Sequence, residues 1–110
     1  MEKRKDAINQ NGVITEGVEI LFRYETKRVK LIIEGAKYEG VYCFGYSYLA
    51  FDKHEGSGKP CHIRDVKHSL SRDALIDFVF DIHSHNFSDK EKIEMRAIVN
   101  ESRVEQLSLF

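Results

Sequence analysis

The chain has 110 residues, of which 42% are hydrophobic and 32% are charged, and this balance favours one folded domain over a disordered chain. Its formal net charge of -1 gives no support to a strongly basic nucleic-acid-binding protein or to an acidic mimic of DNA. Two cysteines, Cys43 and Cys61, are too few for a disulfide framework or a cysteine zinc site.

The chain carries no apolar run long enough to span a bilayer. Its charged start, Met1–Asp6, is not followed by the apolar segment of a secretory signal. We therefore expect a reduced, cytoplasmic protein without membrane contact, in which Cys43 is a buried thiol and no cofactor is needed.

The first half of the chain has the period of two that is typical of strands. A first strand is predicted over 18–25, with one face formed by Val18, Ile20, Phe22 and Tyr24. A second strand is predicted over 28–34, with one face formed by Val29, Leu31 and Ile33. Turns are expected at 26–27 and at 35–37.

A long aromatic strand is predicted over 38–51, with Tyr42, Phe44, Tyr46 and Tyr48 on one face and Val41, Cys43, Leu49 and Phe51 on the other. Residues 54–60 have the composition of a loop, and a fourth strand is expected over about 61–70. The tyrosines have two interpretations. They are core residues with hydroxyls at the sheet rim, or an exposed platform that stacks single-stranded bases.

Residues 75–83 fit two patterns. Their alternation and their branched and aromatic content favour a strand. A helical stripe is the alternative, formed by Leu75, Ile76, Val79, Phe80 and His83. Further on, Ser88 and Glu91 have the spacing of a capping box, which predicts a helix from Asp89 to about Arg103.

The expected fold class is therefore α+β, a small antiparallel sheet or SH3-like barrel followed by a C-terminal helix. We expect one domain over residues 1–105 and a separate peptide over residues 106–110.

That terminal peptide reads Gln106-Leu107-Ser108-Leu109-Phe110. It resembles the short peptide with which bacterial polymerases and repair factors dock on the sliding clamp, whose usual form is Gln-Leu-Ser/Asp-Leu-Phe. The resemblance implies that the leucine and aromatic pair fills an apolar pocket, that the glutamine enters a smaller polar one, and that Ser108 is a permissive spacer. A chain end is reachable for such docking. The alternative is the apolar last turn of a helix that packs on its own domain.

Residues 16–70 resemble, more loosely, the WYL-type domain of bacterial regulators, which has a small SH3-like or Sm-like barrel. The matching segments are Leu21-Phe22-Arg23-Tyr24, Arg28-Val29, Gly45-Tyr46 and Ile63-Arg64-Asp65-Val66. The Trp-Tyr-Leu signature is absent, since the chain has no tryptophan. The resemblance implies a surface for nucleic acid or a nucleotide, with the candidate residues Arg23, Arg28, Tyr46 and Arg64.

Asp81, His83 and His85 alternate, so that on a strand they would point the same way and could share one metal ion. Together with the residues that follow, they resemble the opening motif of the PHP phosphoesterases. The His-x-His pattern also occurs in JAMM-type metallopeptidases, but Ser88 and Asp89 do not have the spacing which that family requires. The alternative is a polar strand end that leads into a helix cap.

Three functions follow, in order of preference. The first is a small non-catalytic accessory or adaptor protein of DNA replication, repair or a mobile element, with the bacterial sliding clamp as its partner. The second is a WYL-like regulatory module that binds nucleic acid or a nucleotide. The third is a metal-dependent phosphoesterase or nuclease.

Overall fold

The computed structural model describes residues 8–38, 40–63 and 72–108, without the side chains of residues 41 and 102–108. The chain divides into two compact units, Met1–Val79 and Phe80–Phe110, which are described one at a time. The fold class is α+β, as expected: an antiparallel sheet is followed by helices. None of the described helices combines the length and the apolar character that crossing a bilayer requires.

The sheet of the first unit is an antiparallel meander in which each strand pairs with its sequence neighbours. Among the described residues the edge strands are the first and the fourth. The strands are β1 (Glu19–Glu25), β2 (Val29–Tyr38), β3 (Val41–Ala50) and β4 (Glu55–Lys59).

One face of the sheet, called the inner face below, carries the main apolar core. Val29, Leu31 and Ile33 of β2 are fully buried on it, which confirms the predicted face of the second strand. Directly opposed residues of an antiparallel sheet share a face. The inner face therefore also includes Phe22 and Tyr24 of β1, and Phe44, Tyr46, Tyr48 and Ala50 of β3.

The alternation predicted for the first strand fails at Ile20, which is 57% exposed. Ile20 pairs with Glu34 and Phe22 pairs with Ile33, so Leu21 is an extra residue in β1. Such a β-bulge shifts the alternation by one residue, and Leu21 is therefore buried beside Phe22.

The turn predicted at residues 35–37 is wrong, because β2 continues through them to Tyr38. Tyr38 pairs with Val41, and Gly40 between the two strands has a φ of +86°. A left-handed residue suits a tight hairpin, and glycine adopts it without strain. Gly35 instead makes room inside the sheet, since a Cβ there would lie 2.6 Å from Leu21 Cδ1.

The predicted loop at residues 54–60 is also wrong, because β4 occupies Glu55–Lys59. Gly56 and Gly58 belong to this edge strand, where a Cβ would lie 3.1 Å from the Tyr48 oxygen and 2.9 Å from the Tyr46 oxygen, respectively. The glycines therefore permit close pairing with β3 rather than a loop. Of the fourth strand expected over 61–70, only residues 61–63 are described, and His62 makes a single bridge with Val13.

The segment around residues 75–83 is a helix, α1 (Arg72–His83), so the preferred strand interpretation is wrong. Its helical stripe is buried throughout, with Leu75, Ile76, Val79, Phe80 and His83 each at most 6% exposed. Two contacts within the first unit explain why this segment is a helix. The Phe78 ring packs edge-to-face on Phe44 at 5.3 Å, and Leu75 lies 3.4 Å from the Cβ position of Gly35. The first half of α1 thus packs on the inner face.

The other face of the sheet, the outer face, carries a second and smaller core, called the outer cluster below. It consists of Ile14, Ala36, Cys43 and Cys61, with Ile8, Val18, Tyr38 and Ile63 partly buried against it. Backbone hydrogen bonds attach the N-terminal segment here: Ile14 N–H donates to the Cys61 oxygen at 2.8 Å, and Ile63 N–H donates to the Gly12 oxygen at 3.0 Å.

Candidate functional site

The helix that leads to the terminal peptide begins with the predicted capping box. Ser88 N–H donates to Glu91 Oε1 at 2.8 Å, and Glu91 N–H donates to Ser88 Oγ at 3.2 Å. These two bonds satisfy backbone N–H groups that have no partner within the helix. The helix, α2, runs over Asp89–Ser108, and its predicted start is confirmed.

The end of α2 lies five residues beyond the predicted Arg103, at Ser108. Residues 103–108 contain no glycine or proline, so no residue there breaks the helix. Gln106, Leu107 and Ser108 consequently have a helical backbone, while Leu109 and Phe110 lie outside the described residues. The division into a domain over 1–105 and a peptide over 106–110 stays a prediction.

The described side chains of α2 alternate between buried and exposed as far as Glu101. Met95 and Val99 are 2% and 4% exposed, whereas Asn100 and Glu101, which follow, are both exposed. The last two described side chains of α2, Asn100 and Glu101, are thus both polar and exposed.

Two of the residues predicted to bind nucleic acid or a nucleotide, Arg23 and Tyr46, lie on opposite faces of the sheet. Arg23 lies on the outer face, because its opposed residue is Ile32. Its side chain is exposed, and its guanidinium lies 3.4 Å from the Glu25 carboxylate. Tyr46 lies on the inner face, half-buried, with its ring stacked against Phe44 at 6.5 Å. Arg28 lies 3.6 Å from Asp52, next to the start of β2, and Arg64 lies outside the described residues.

The tyrosine strand matches the core interpretation better than the stacking platform. Phe44 and Tyr48 are 5% and 6% exposed on the inner face, so neither ring is available to a base. Base stacking requires an open ring face.

The three predicted metal ligands do not lie on one strand, as the prediction required. Asp81 and His83 belong to α1, and His85 belongs to a 3₁₀ turn over Ser84–Asn86, so alternation no longer aligns them. His83 is buried, with Nδ1 3.4 Å from Asn86 Nδ2, whereas Asp81 and His85 are exposed. Burial, and to a lesser degree the charge of His85, lower the pKa of His83. Across residues 8–38, 40–63 and 72–108 no three His, Cys, Asp or Glu side chains could hold one metal ion.

A cluster around Lys59 was not predicted. Its ammonium group donates to the Phe44 oxygen at 2.8 Å and to the Pro60 oxygen at 3.2 Å, and lies 3.9 Å from the Phe44 ring centroid. Burial lowers the pKa of Lys59, while Cys61 and Cys43 act in the opposite direction. The two carbonyl oxygens and the aromatic ring all stabilise the charged amine, so we interpret Lys59 as a structural cation at the end of β4.

The two thiols of the outer cluster are buried and free of disulfide bonds. Burial raises the pKa of Cys43, with Lys59 opposing it. Burial, with a contribution from Glu34, raises the pKa of Cys61 to about 11. Both groups are therefore protonated and weakly nucleophilic at neutral pH, as expected for structural cysteines.

The second unit contains a partly open cavity of about 220 Å³. Its lining combines apolar and charged side chains, namely Phe80, Asp81, Ser84, Lys92, Met95 and Arg96. The Arg96 guanidinium lies 4.9 Å from the Phe80 ring centroid and so forms a cation–π contact at its rim. Because the lining carries both positively and negatively charged side chains, it does not indicate one class of ligand.

Comparison with protein-family models, with curated sequences and with solved structures finds no match for this chain.

Sequence reasoning missed the Lys59 cluster and the cavity for different reasons. Lys59 and Cys61 are two residues apart, but Phe44 lies 15 residues before Lys59 on another strand, and no local spacing connects it to them. The sequence did contain part of the evidence for the cavity, because Phe80 belongs to the helical stripe of residues 75–83. That helical interpretation was the alternative that was not preferred.

Proposed function

We propose that this chain docks on a bacterial sliding clamp through Gln106-Leu107-Ser108-Leu109-Phe110 and works there without catalysis. It recruits a partner to the clamp or competes with other clients, in DNA replication, repair or the life cycle of a mobile element. Its place of action is the cytoplasm. The sequence of this pentapeptide is the single observation that carries the proposal.

The chemistry of the motif suits an anchor of few residues. Leu109 and Phe110 supply apolar area for one pocket, Leu107 adds to it, and Gln106 supplies a donor and an acceptor for a polar subsite. A few apolar anchors often carry most of the binding free energy of an interface. The exposed Asn100 and Glu101 support the proposal further, because a large partner can approach this part of α2.

The test is the affinity of the full chain for a purified bacterial clamp, measured by calorimetry. We expect a dissociation constant near the micromolar range, about -8 kcal/mol. Replacing both Leu109 and Phe110 by alanine removes two anchors, and we expect affinity to fall by at least about thirtyfold, or 2 kcal/mol.

The matched control is Ser108→Ala, which changes the spacer only and is expected to leave the affinity unchanged. Thermal melts of all three proteins separate docking from folding. The proposal fails if the intact chain does not bind. It also fails if the double alanine variant loses binding together with thermal stability, because the peptide is then part of the packed fold.

A further inference from the structure

The part of the outer face that lies beside the outer cluster carries aliphatic side chains on three neighbouring strands. Ile20 of β1 is 57% exposed, Leu49 of β3 is 39% exposed, and Ile32 of β2 between them is half-buried. When one face of an antiparallel sheet meets only water, such positions usually hold polar side chains. The three aliphatic residues therefore indicate that another surface covers this part of the face.

Ile20, Ile32 and Leu49 form one diagonal line across the sheet, called the outer stripe below. Ile20 is opposed to Glu34, which lies two positions after Ile32 on β2. Leu49 is opposed to Lys30, which lies two positions before Ile32. Each step along the stripe therefore moves one strand sideways and two residues along the strands, in the same sense both times.

Charges of opposite sign flank the outer stripe. Arg23 and Lys30 lie on one side of it together with Glu25, and Glu34 lies on the other side. The first side is therefore positive on balance and the second is negative. The Arg23 guanidinium lies 3.4 Å from the Glu25 carboxylate, but its side chain is 59% exposed and has five N–H donors, so it can also bind a second carboxylate.

A second copy of this chain matches the outer stripe when a two-fold axis runs along it. Each aliphatic side chain then lies over its own counterpart, because residues on a two-fold axis meet themselves. The rotation exchanges the two sides of the stripe, so Arg23 of each copy faces Glu34 of the other. A two-fold axis along β2 would instead set Lys30 against Lys30 and Glu34 against Glu34.

The relief of the outer face allows this arrangement. From the usual strand spacing and rise per residue, the stripe lies roughly 35° from the strand direction, so the strands of the two copies cross at about 70°, close to orthogonal sheet packing. Residues 59–61 pass over Gly45, on the same side of the stripe as its opposed residue Glu34. The rotation places them beside the edge strand β1 of the other copy, and they do not stand between the two stripes.

We propose that the outer stripe is the surface through which two copies of this chain form a symmetric dimer. Three aliphatic side chains and two charge pairs make a small interface, so the dimer is weak, with a dissociation constant in the micromolar range or above. The inference does not depend on clamp docking, because none of these residues belongs to the terminal peptide.

Sedimentation of the full chain from about 5 µM to about 500 µM, without a clamp, tests the proposal, and we expect a concentration-dependent dimer. Ile20→Glu sets two carboxylates against each other on the axis and should raise the dimer dissociation constant at least about tenfold. Leu49→Thr removes apolar contact while keeping a good strand residue, and we expect a weaker dimer. Lys90→Gln, on α2, changes the net charge by the same amount as Ile20→Glu and is the control, which should leave the dimer unchanged. Thermal melts at low concentration verify that each variant keeps the monomer fold.

The two-fold arrangement has its own test. Glu34→Arg sets two cations against each other and should weaken the dimer, and adding Arg23→Glu should restore it, because the pair then exists with its signs exchanged. A chain that stays monomeric up to 500 µM overturns the proposal, and so does a dimer that Ile20→Glu and Leu49→Thr both leave intact. A dimer that Glu34→Arg does not weaken, or that the added Arg23→Glu does not restore, overturns the arrangement along the outer stripe.

Discussion

Gly45→Ala tests how closely residues 59–61 pass over the outer face of the sheet. Gly45 is buried in β3, and the segment from Lys59 to Cys61 passes directly over it. A Cβ at this position would lie 2.9 Å from the Lys59 oxygen, 3.0 Å from the Cys61 nitrogen and 3.1 Å from the Pro60 carbonyl carbon. All three are backbone atoms, so no side-chain rotation relieves the contact.

We expect residues 59–61 to move away from β3. This movement weakens the hydrogen bond from Lys59 to the Phe44 oxygen and the packing of Cys61 in the outer cluster. Overpacking of this kind destabilises a protein by about 1–3 kcal/mol, and fixed backbone neighbours place this case near the upper value. For a chain of this size the melting temperature should fall by on the order of 10–20 °C.

Two assays check the expectation. Urea denaturation gives the change in unfolding free energy, and the rate at which a thiol reagent labels Cys61 reports opening of the crossing segment. Ser47→Ala is the matched control, since it lies on the same strand and the same face and only loses atoms. Wild-type stability within about 0.5 kcal/mol together with unchanged labelling would refute the reasoning.

Two further predictions concern the second helix and the outer cluster. Ser88→Ala removes one half of the capping box and should lower the unfolding free energy by about 1 kcal/mol, whereas Ser88→Thr keeps a cap and should be nearly neutral; equal urea midpoints for the two variants would contradict this. Burial raises the pKa of Cys61 from 9.0 to about 11, so between these pH values the folded state binds more protons than the unfolded state. The stabilisation is therefore complete below about pH 9 and declines as pH rises towards 11, by at most about 1.4 kcal/mol per pH unit. Cys61→Ala should remove this part of the pH dependence, as measured by parallel urea titrations, and an identical slope in both proteins would count against the assignment.

The parts of the fold that sequence could predict are those decided by neighbouring residues. The buried face of β2 followed from simple alternation, and the start of α2 followed from Ser88 and Glu91 three residues apart. In both cases the local pattern and the tertiary environment agree.

The parts that failed depend on contacts between distant segments. Residues 75–83 alternate well enough for a strand, and only the packing of Phe78 on Phe44 and of Leu75 over Gly35 distinguishes the helix. In the sequence alone Gly56 and Gly58 are typical of a loop. In the structure they belong to a strand and lie against backbone oxygens of β3. For the candidate site, the terminal pentapeptide was readable as a motif, whereas the Lys59 cluster required the end of β4 to meet Phe44 of β3.

The helical backbone of Gln106, Leu107 and Ser108 has a consequence for any partner that reads these residues in an extended form. Such a partner binds only the fraction of molecules in which the last turn has opened, and its apparent dissociation constant is the intrinsic one divided by that fraction. Terminal helical residues contribute little each, about 0–0.3 kcal/mol, so three of them weaken binding by only a few-fold.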